Sequence, residues 1–124
     1  MPFVTITATK GLSVDQKKQL LQRSSDTVAQ SLNAKLAGVR IVLHELPDAH
    51  YSSGGQFGVP TVMYEIDMIA GRSEEQKASV IAALAKTAHE VTGVPLAEIR
   101  TRLTDFPNTN MGMGNGVTAK QAGR

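Results

Sequence analysis

Cysteine is absent from the chain. That excludes disulfides and thiolate metal sites. Aromatic residues make up only 4% of the sequence, and no basic block is interleaved with them. The stacking-and-charge signature of a nucleic-acid binder is therefore missing. Charge of one sign is also missing. The 13 basic and 11 acidic residues are mixed along the chain and leave a formal net charge of +2. No apolar run approaches the ~18 residues of a membrane span. The opening MPFVTITATKG has no apolar stretch of the signal-peptide kind. His44, His50 and His89 show no metal-ligand spacing. The expectation is a soluble, cytoplasmic protein with no metal, nucleic-acid or membrane partner. Its 124 residues are one domain's worth of chain and enough to bury a real core.

What the chain does contain is a faint copy of itself. Gly11-Leu12-Ser13-Val14-Asp15-Gln16-Lys17 matches Gly71-Arg72-Ser73-Glu74-Glu75-Gln76-Lys77, 60 positions later. Leu36-Ala37-Gly38-Val39-Arg40 matches Leu96-Ala97-Glu98-Ile99-Arg100 in the same register, as do Ile6 with Ile66, Pro47 with Pro107 and Gly54 with Gly114. A gap-free register over that span points to duplication with divergence.

Each half reads β-α-β. Phe3–Thr9 alternates and is rich in β-branched residues, a strand pattern. Ser13 and Gln16 form a capping-box signature ahead of an apolar face of Val14, Leu21, Val28 and Leu32. Val39–Leu46 is a second strand, stopped by Pro47-Asp48. The second half predicts a strand over Thr61–Ile69 and a helix opened by Ser73 and Gln76, with Val80, Leu84, Ala88 and Val91 inward. A strand over Ala97–Phe106 follows. The polar segment after Asn115 reads as a frayed or arm-like end. A helix crossing between two strands implies parallel pairing within each half. The fold class is therefore α+β. Two tandem β-α-β units, about residues 2–58 and 61–118, form one mixed sheet in a single domain over 1–124, with both helices on one face. The other face and the sheet edges then need cover. Ser52-Ser53-Gly54-Gly55 and Gly112-Met113-Gly114-Asn115-Gly116 suit hairpins or arms that reach a neighbouring chain. A homo-oligomer is expected, and with an internal two-fold a trimer is the simplest closed form.

Pro2 carries the most chemistry. A small residue after the initiator invites removal of Met1, which would leave Pro2 as a free secondary amine. An α-amine titrates near ~7.7–8.0, far below lysine. Burial and neighbouring positive charge push it lower still, towards a general base poised near neutrality.

Pro2, the Gly-x-Ser-x-x-Gln-Lys helix start of both halves, Ser31-Leu32-x-Ala34…Val39-Arg40 and His50-Tyr51-x-x-Gly54-Gly55 together resemble the tautomerase superfamily. The nearest likeness is two tandem copies of 4-oxalocrotonate tautomerase in one polypeptide, over nearly the whole chain. The resemblance implies a tautomerase fold of the macrophage-inhibitory-factor kind. It implies an amino-terminal proline base and arginines that bind the carboxylate of a small unsaturated 2-hydroxy or 2-oxo acid, with no cofactor. By position, Pro2 takes the place of the catalytic proline. Its counterpart in the second half is Val62, so one site per chain is implied. The arginine of the Gly-Arg-Ser turn is Arg72, and its counterpart in the first half is Leu12. The arginine at the start of the second strand is present twice, as Arg40 and Arg100, and either can serve a site. The pocket-closing aromatic is Tyr51, facing Met111 in the second half. The activity implied is keto-enol tautomerisation or 1,3-allylic isomerisation of the 4-oxalocrotonate or phenylenolpyruvate type. Dehalogenases, hydratases and decarboxylases of the same superfamily are the alternative reaction class. They add a carboxylate that handles water, which Ala37-Gly38-Val39 and Asn115-Gly116 do not supply. A non-catalytic oligomeric binding module is the third reading.

Overall fold

The computed structural model describes residues 2–124. Met1, on which the trimming expectation rests, lies outside the described residues. Strands β1 (Phe3–Thr9), β2 (Arg40–Leu46), β3 (Val62–Ile69) and β4 (Ile99–Phe106) form one sheet in the order β2-β1-β3-β4. Helix α1 (Val14–Ser31) joins the first pair and α2 (Glu74–Thr92) the second. Pairing is parallel within each β-α-β unit and antiparallel between β1 and β3, the mixed sheet that the repeat predicts.

Local chemistry fixes the helix ends. The Ser13 hydroxyl accepts from the Gln16 N–H at 3.1 Å, while the Gln16 amide oxygen accepts from the Ser13 N–H at 2.9 Å. Ser73 and Gln76 repeat the box at 3.1 and 3.0 Å. Each box satisfies two amide groups that a helix start leaves unpaired. At the other end α2 stops on Gly93 at φ 75, a left-handed cap that glycine adopts without strain. Each helix is followed by a short 3-10 turn, Leu36–Gly38 and Leu96–Glu98. The sequence assigned Val39, Thr61, Ala97 and Glu98 to strands. They fall just outside β2, β3 and β4: the two turns deliver the chain to β2 and β4 one or two residues later, while Thr61 sits one residue ahead of β3, its N–H donating to the Thr9 hydroxyl and its own hydroxyl to the Glu98 carbonyl.

The core lies between the helices and one sheet face. Val4, Ile6 and Ala8 alternate with half-exposed residues along β1, and Val62, Tyr64, Ile66 and Met68 do so along β3. They pack in one cluster with Leu20 and Val28 of α1 and Val80, Leu84 and Ala88 of α2. Each valine, leucine, isoleucine or methionine side chain among them contributes roughly 1.5–3 kcal/mol on burial. The expected apolar face of α2 is buried in full, but Val14 of α1 is 66% exposed. It is the first helical residue and sits ahead of the turn that meets the sheet. Ser24 is buried instead. Its hydroxyl lies 2.8 Å from the Tyr64 hydroxyl, which supplies the partner that a buried polar group requires. Burial pushes the Tyr64 phenol up to about 12, against the opposing effect of the Ser24 hydrogen bond, so it stays neutral at physiological pH.

The segment after Asn115 corrects the expectation of a frayed end. Ala119 is wholly buried, and its N–H donates to the Met111 carbonyl at 2.8 Å. The Arg124 N–H returns to the Ala119 carbonyl at 2.8 Å. A small side chain lets this polar stretch close over Met111, which is 4% exposed.

Ser24→Ala should leave the Tyr64 hydroxyl buried without a partner and cost about 1–3 kcal/mol. Adding Tyr64→Phe should recover much of that loss. Urea midpoints at constant m check both changes. An unchanged midpoint in the single variant would show that the pair contributes nothing.

Candidate active site

The geometry of the site follows from one register. β1 and β3 pair antiparallel with Thr5 opposite Glu65, residues that are also counterparts in the 60-residue repeat. The internal two-fold therefore passes through that pair. Pro2 and its counterpart Val62 lie on opposite sides of it, at opposite ends of the sheet. β2 runs parallel to β1 with Arg40 opposite Phe3, so Arg40 starts at Pro2's end. Its N–H donates to the Pro2 carbonyl at 3.1 Å. β3 runs the other way, with Asp67 opposite Phe3, and Ile69 and Arg72 follow at the same end. Pro2 itself is buried. One end of the sheet thus gathers Pro2, Arg40 and Arg72.

The other end gathers their counterparts. Val62 stands in for Pro2 and Leu12 for Arg72, while Arg100 is opposite Met63 at the start of β3. Arg100 and Pro2 are therefore not brought together within one chain. Nor is Tyr51. The connection after β2 leaves from the end of that strand, far from Pro2. Tyr51 lines a cavity of about 210 Å³ there with Thr9, Lys10, Pro47 and Pro60. Its counterpart Met111 lies beneath the chain's last turn, on the other connection.

The arginines are held by main-chain carbonyls. An Arg40 Nη1 donates to the carbonyls of Ala37 at 2.8 Å and Val39 at 3.2 Å. Arg72 Nη1 donates to the Ile69 carbonyl at 3.2 Å, and Arg100 Nη1 to that of Ala97 at 3.2 Å. Among the described residues, Arg40 and Arg72 have no acidic partner within ion-pair distance, whereas Arg100 lies 3.9 Å from Glu98 and Arg102 pairs with Glu65. Two guanidinium groups without internal counter-ions at one end can bind an external anion. Arg72 also lines a cavity of about 220 Å³ with Asn33, Ala34, Lys35, Gly38 and Arg124. Sequence reading missed Lys35, Gly38 and Arg124 as neighbours of Arg72. The available signal was the asymmetry of the repeat, which puts Pro95 opposite Lys35 and Glu98 opposite Gly38. No group of three or more His, Cys, Asp or Glu side chains that would hold a metal is assembled among the described residues. No helix among them is long and apolar enough to cross a membrane.

Comparison with known proteins gives the class. The family model described as tautomerase enzyme matches twice, over residues 2–57 and 64–120. The chain belongs to the tautomerase family and is an enzyme of the isomerase class. It is similar to the 2-hydroxymuconate tautomerase of Comamonas testosteroni, 43% identical over 60 residues that are 48% of this chain and 94% of that one. A 2-hydroxymuconate tautomerase of Pseudomonas putida is 42% identical over the same shares. Among solved structures, Pt0534 inactivated by 2-oxo-3-pentynoate superposes with a TM-score of 0.96 at 57% identity, covering 98% of this chain and 99% of that one. A wild-type fused 4-OT symmetric trimer gives a TM-score of 0.95 at 36% identity with the same coverage. The relatives near 60 residues long match about one half of this chain, and the fused structures match nearly all of it. This is the tandem architecture that the repeat implies.

The last turn of the chain should open as a unit. Ala119→Asp puts a carboxylate in a fully buried position and should release the Ala119 amide to fast hydrogen exchange, while β1 and β3 amides stay protected. Equal loss of protection in tail and central strands would show instead that the tail is part of the global core.

Proposed function

We propose that this chain is a cofactor-independent tautomerase of small unsaturated 2-hydroxy or 2-oxo acids, with the Pro2 amine as general base once Met1 is removed. The observation that carries the reading is the convergence of buried Pro2, Arg40 and Arg72 at one sheet end, with neither guanidinium internally neutralised. Neutral Pro2 takes a proton from one carbon or enol oxygen of the substrate and returns it to another carbon. Arg72 holds a carboxylate, and Arg40 polarises the keto oxygen and stabilises the dienolate as it forms. Burial of the amine and two nearby cations favour its neutral form. The relatives' names support 2-hydroxymuconate as substrate class.

The working unit is proposed to be a homotrimer. Supporting this, similar solved structures are described as fused 4-OT trimers. Both outer strands lack a neighbour in the sheet, and the sheet face away from the helices exposes Val42, Glu65 and Arg102. In such an assembly Arg100 and Tyr51 of one chain have a route to the Pro2 end of the next. They are retained as substrate-binding residues on that condition.

Three experiments test the reading. The rate should rise with pH through the neutral range, because the base works only after losing its proton. A residue added ahead of Pro2 should abolish it, since an amide nitrogen cannot accept the proton. Full turnover by the extended protein would exclude Pro2 as base. Among the arginines, Arg72→Ala removes a ground-state contact and should raise KM by roughly 10- to 150-fold. Arg40→Ala should lower kcat by about 10²–10³. If Arg100→Ala carries that kcat loss and Arg40→Ala does not, the oxyanion contact comes from the second repeat of a neighbouring chain.

A further inference from the structure

Sheet register places one carboxylate beside the proposed base. Phe3 of β1 is opposite Asp67 of β3 in the antiparallel ladder and opposite Arg40 of β2 in the parallel one. Phe3, Thr5, Thr7 and Thr9 alternate with the core positions of β1, so Phe3 and its two partners lie on the face away from the helices. Pro2 directly precedes Phe3, and its Cα atom lies within about 9 Å of that of Asp67. Asp67 is half-buried and has no cation within ion-pair distance among the described residues. The other β3 acid on that face, Glu65, pairs with Arg102.

The remaining charges of this end are cationic or neutralised. Arg40 comes from β2 and Arg72 from the turn after β3, with Lys35 and Arg124 beside Arg72. From β4, Asp105 is opposite Met68 and pairs with Lys77 of α2 at 2.6 Å. A buried amine among unpaired cations is driven towards its neutral form, and the further it is driven the weaker a base it becomes. A carboxylate close by acts in the opposite sense. The repeat shows that this carboxylate belongs to one end only. The counterpart of Asp67 is Thr7, which is opposite Met63, next to Val62. Where a valine stands at the position of the base, the neighbouring strand carries no carboxylate.

We infer that Asp67 tunes the Pro2 amine: its carboxylate offsets the pull of Arg40 and Arg72 and keeps the amine a strong enough base to take a carbon-bound proton near neutral pH. Asp67 acts through the base and not on the substrate. The inference rests on the reading of Pro2 as a free amine and general base. It adds a residue that the proton transfer proposed above does not use.

The test compares wild type with four variants. Asp67→Asn and Asp67→Thr remove the charge, Asp67→Glu keeps it, and Thr7→Asp adds one at the far end. The midpoint of the ascending limb of kcat/KM against pH reports the base of the free enzyme. Both neutral variants should move that midpoint to lower pH by about half a unit or more, because the protonated amine loses a favourable neighbour. Asp67→Glu should stay with wild type. So should Thr7→Asp, whose carboxylate is roughly 13 Å along β1 from Phe3, beyond the Debye length of about 8 Å at physiological salt. A second readout needs no turnover. Trace acetylation by acetic anhydride, read as the mass of the peptide that begins at Pro2, follows the neutral amine as pH rises. Its midpoint should move in the same variants and in the same direction. Midpoints that stay put or rise in the neutral variants, or a shift in Thr7→Asp as large as that in Asp67→Asn, would overturn the inference. So would a chain that keeps Met1 and offers no amine at Pro2. Unmoved midpoints together with altered sedimentation of the neutral variants would assign Asp67 to a contact between chains instead. If wild type turns over neither 2-hydroxymuconate nor phenylenolpyruvate, yet the acetylation midpoint falls in Asp67→Asn and Asp67→Thr, Asp67 tunes the amine and the tautomerase reading fails.

Discussion

The antiparallel β1–β3 ladder is the constraint on which the rest depends. It joins two β-α-β units that are each complete in connectivity but have only one buried sheet face. It also sets the internal two-fold at Thr5 and Glu65. A shift of one residue would move Val4, Ile6 and Ala8 off the core face and carry Pro2 away from the end of β3, so burial and site geometry enforce the same register. The end of β3 then leads directly into the turn that bears Arg72. A contribution from the second repeat thus reaches the Pro2 end of the first within a single chain.

Duplication made two ends, and the sequence has let them diverge in charge. At Pro2's end Arg40 and Arg72 pair with no internal acid, with Lys35 close to Arg72. At the far end Val62, Leu12 and Pro95 stand at the positions matching Pro2, Arg72 and Lys35, and Glu98 approaches Arg100. Arg72 is the half-buried one of these cations, and an unpaired charge there costs stability that a paired one does not. Arg40 and Lys35 are exposed and carry little of that cost, so the asymmetry lies in which end keeps its cations without an acidic partner. This is what a single site per chain implies, and it is a stronger mark of function than the presence of any one arginine.

Much of the fold was legible because its signals are local and periodic. Two capping boxes, four alternating strands and the apolar face of α2 stand in the sequence as they stand in the fold. The exceptions have physical reasons. Ser24 is buried through a partner 40 residues away, which no helical period reveals. Val14 fits the apolar pattern but precedes the turn that reaches the sheet. The polar last turn folds back because one alanine is small enough to sit over Met111. The candidate site was legible only as residue types and repeat positions. Placing Arg40 rather than Arg100 beside Pro2 in the chain needed strand direction. Lys35 was passed over because a lysine in a surface turn carries no motif, and only the turn's approach to Arg72 makes it a neighbour.

The central claim is that a free amine at Pro2 does the chemistry at the one end where the cations are unpaired. The most direct measurement is covalent. The acetylenic keto acid 2-oxo-3-pentynoate, which inactivated the similar Pt0534, carries a carboxylate for the arginines and an electrophilic alkyne for an amine. Intact mass followed by peptide mapping should find one adduct per chain, on the peptide that begins at Pro2, forming in step with loss of activity. Inactivation with the label elsewhere, or complete labelling of Pro2 in a chain that stays fully active, would contradict it.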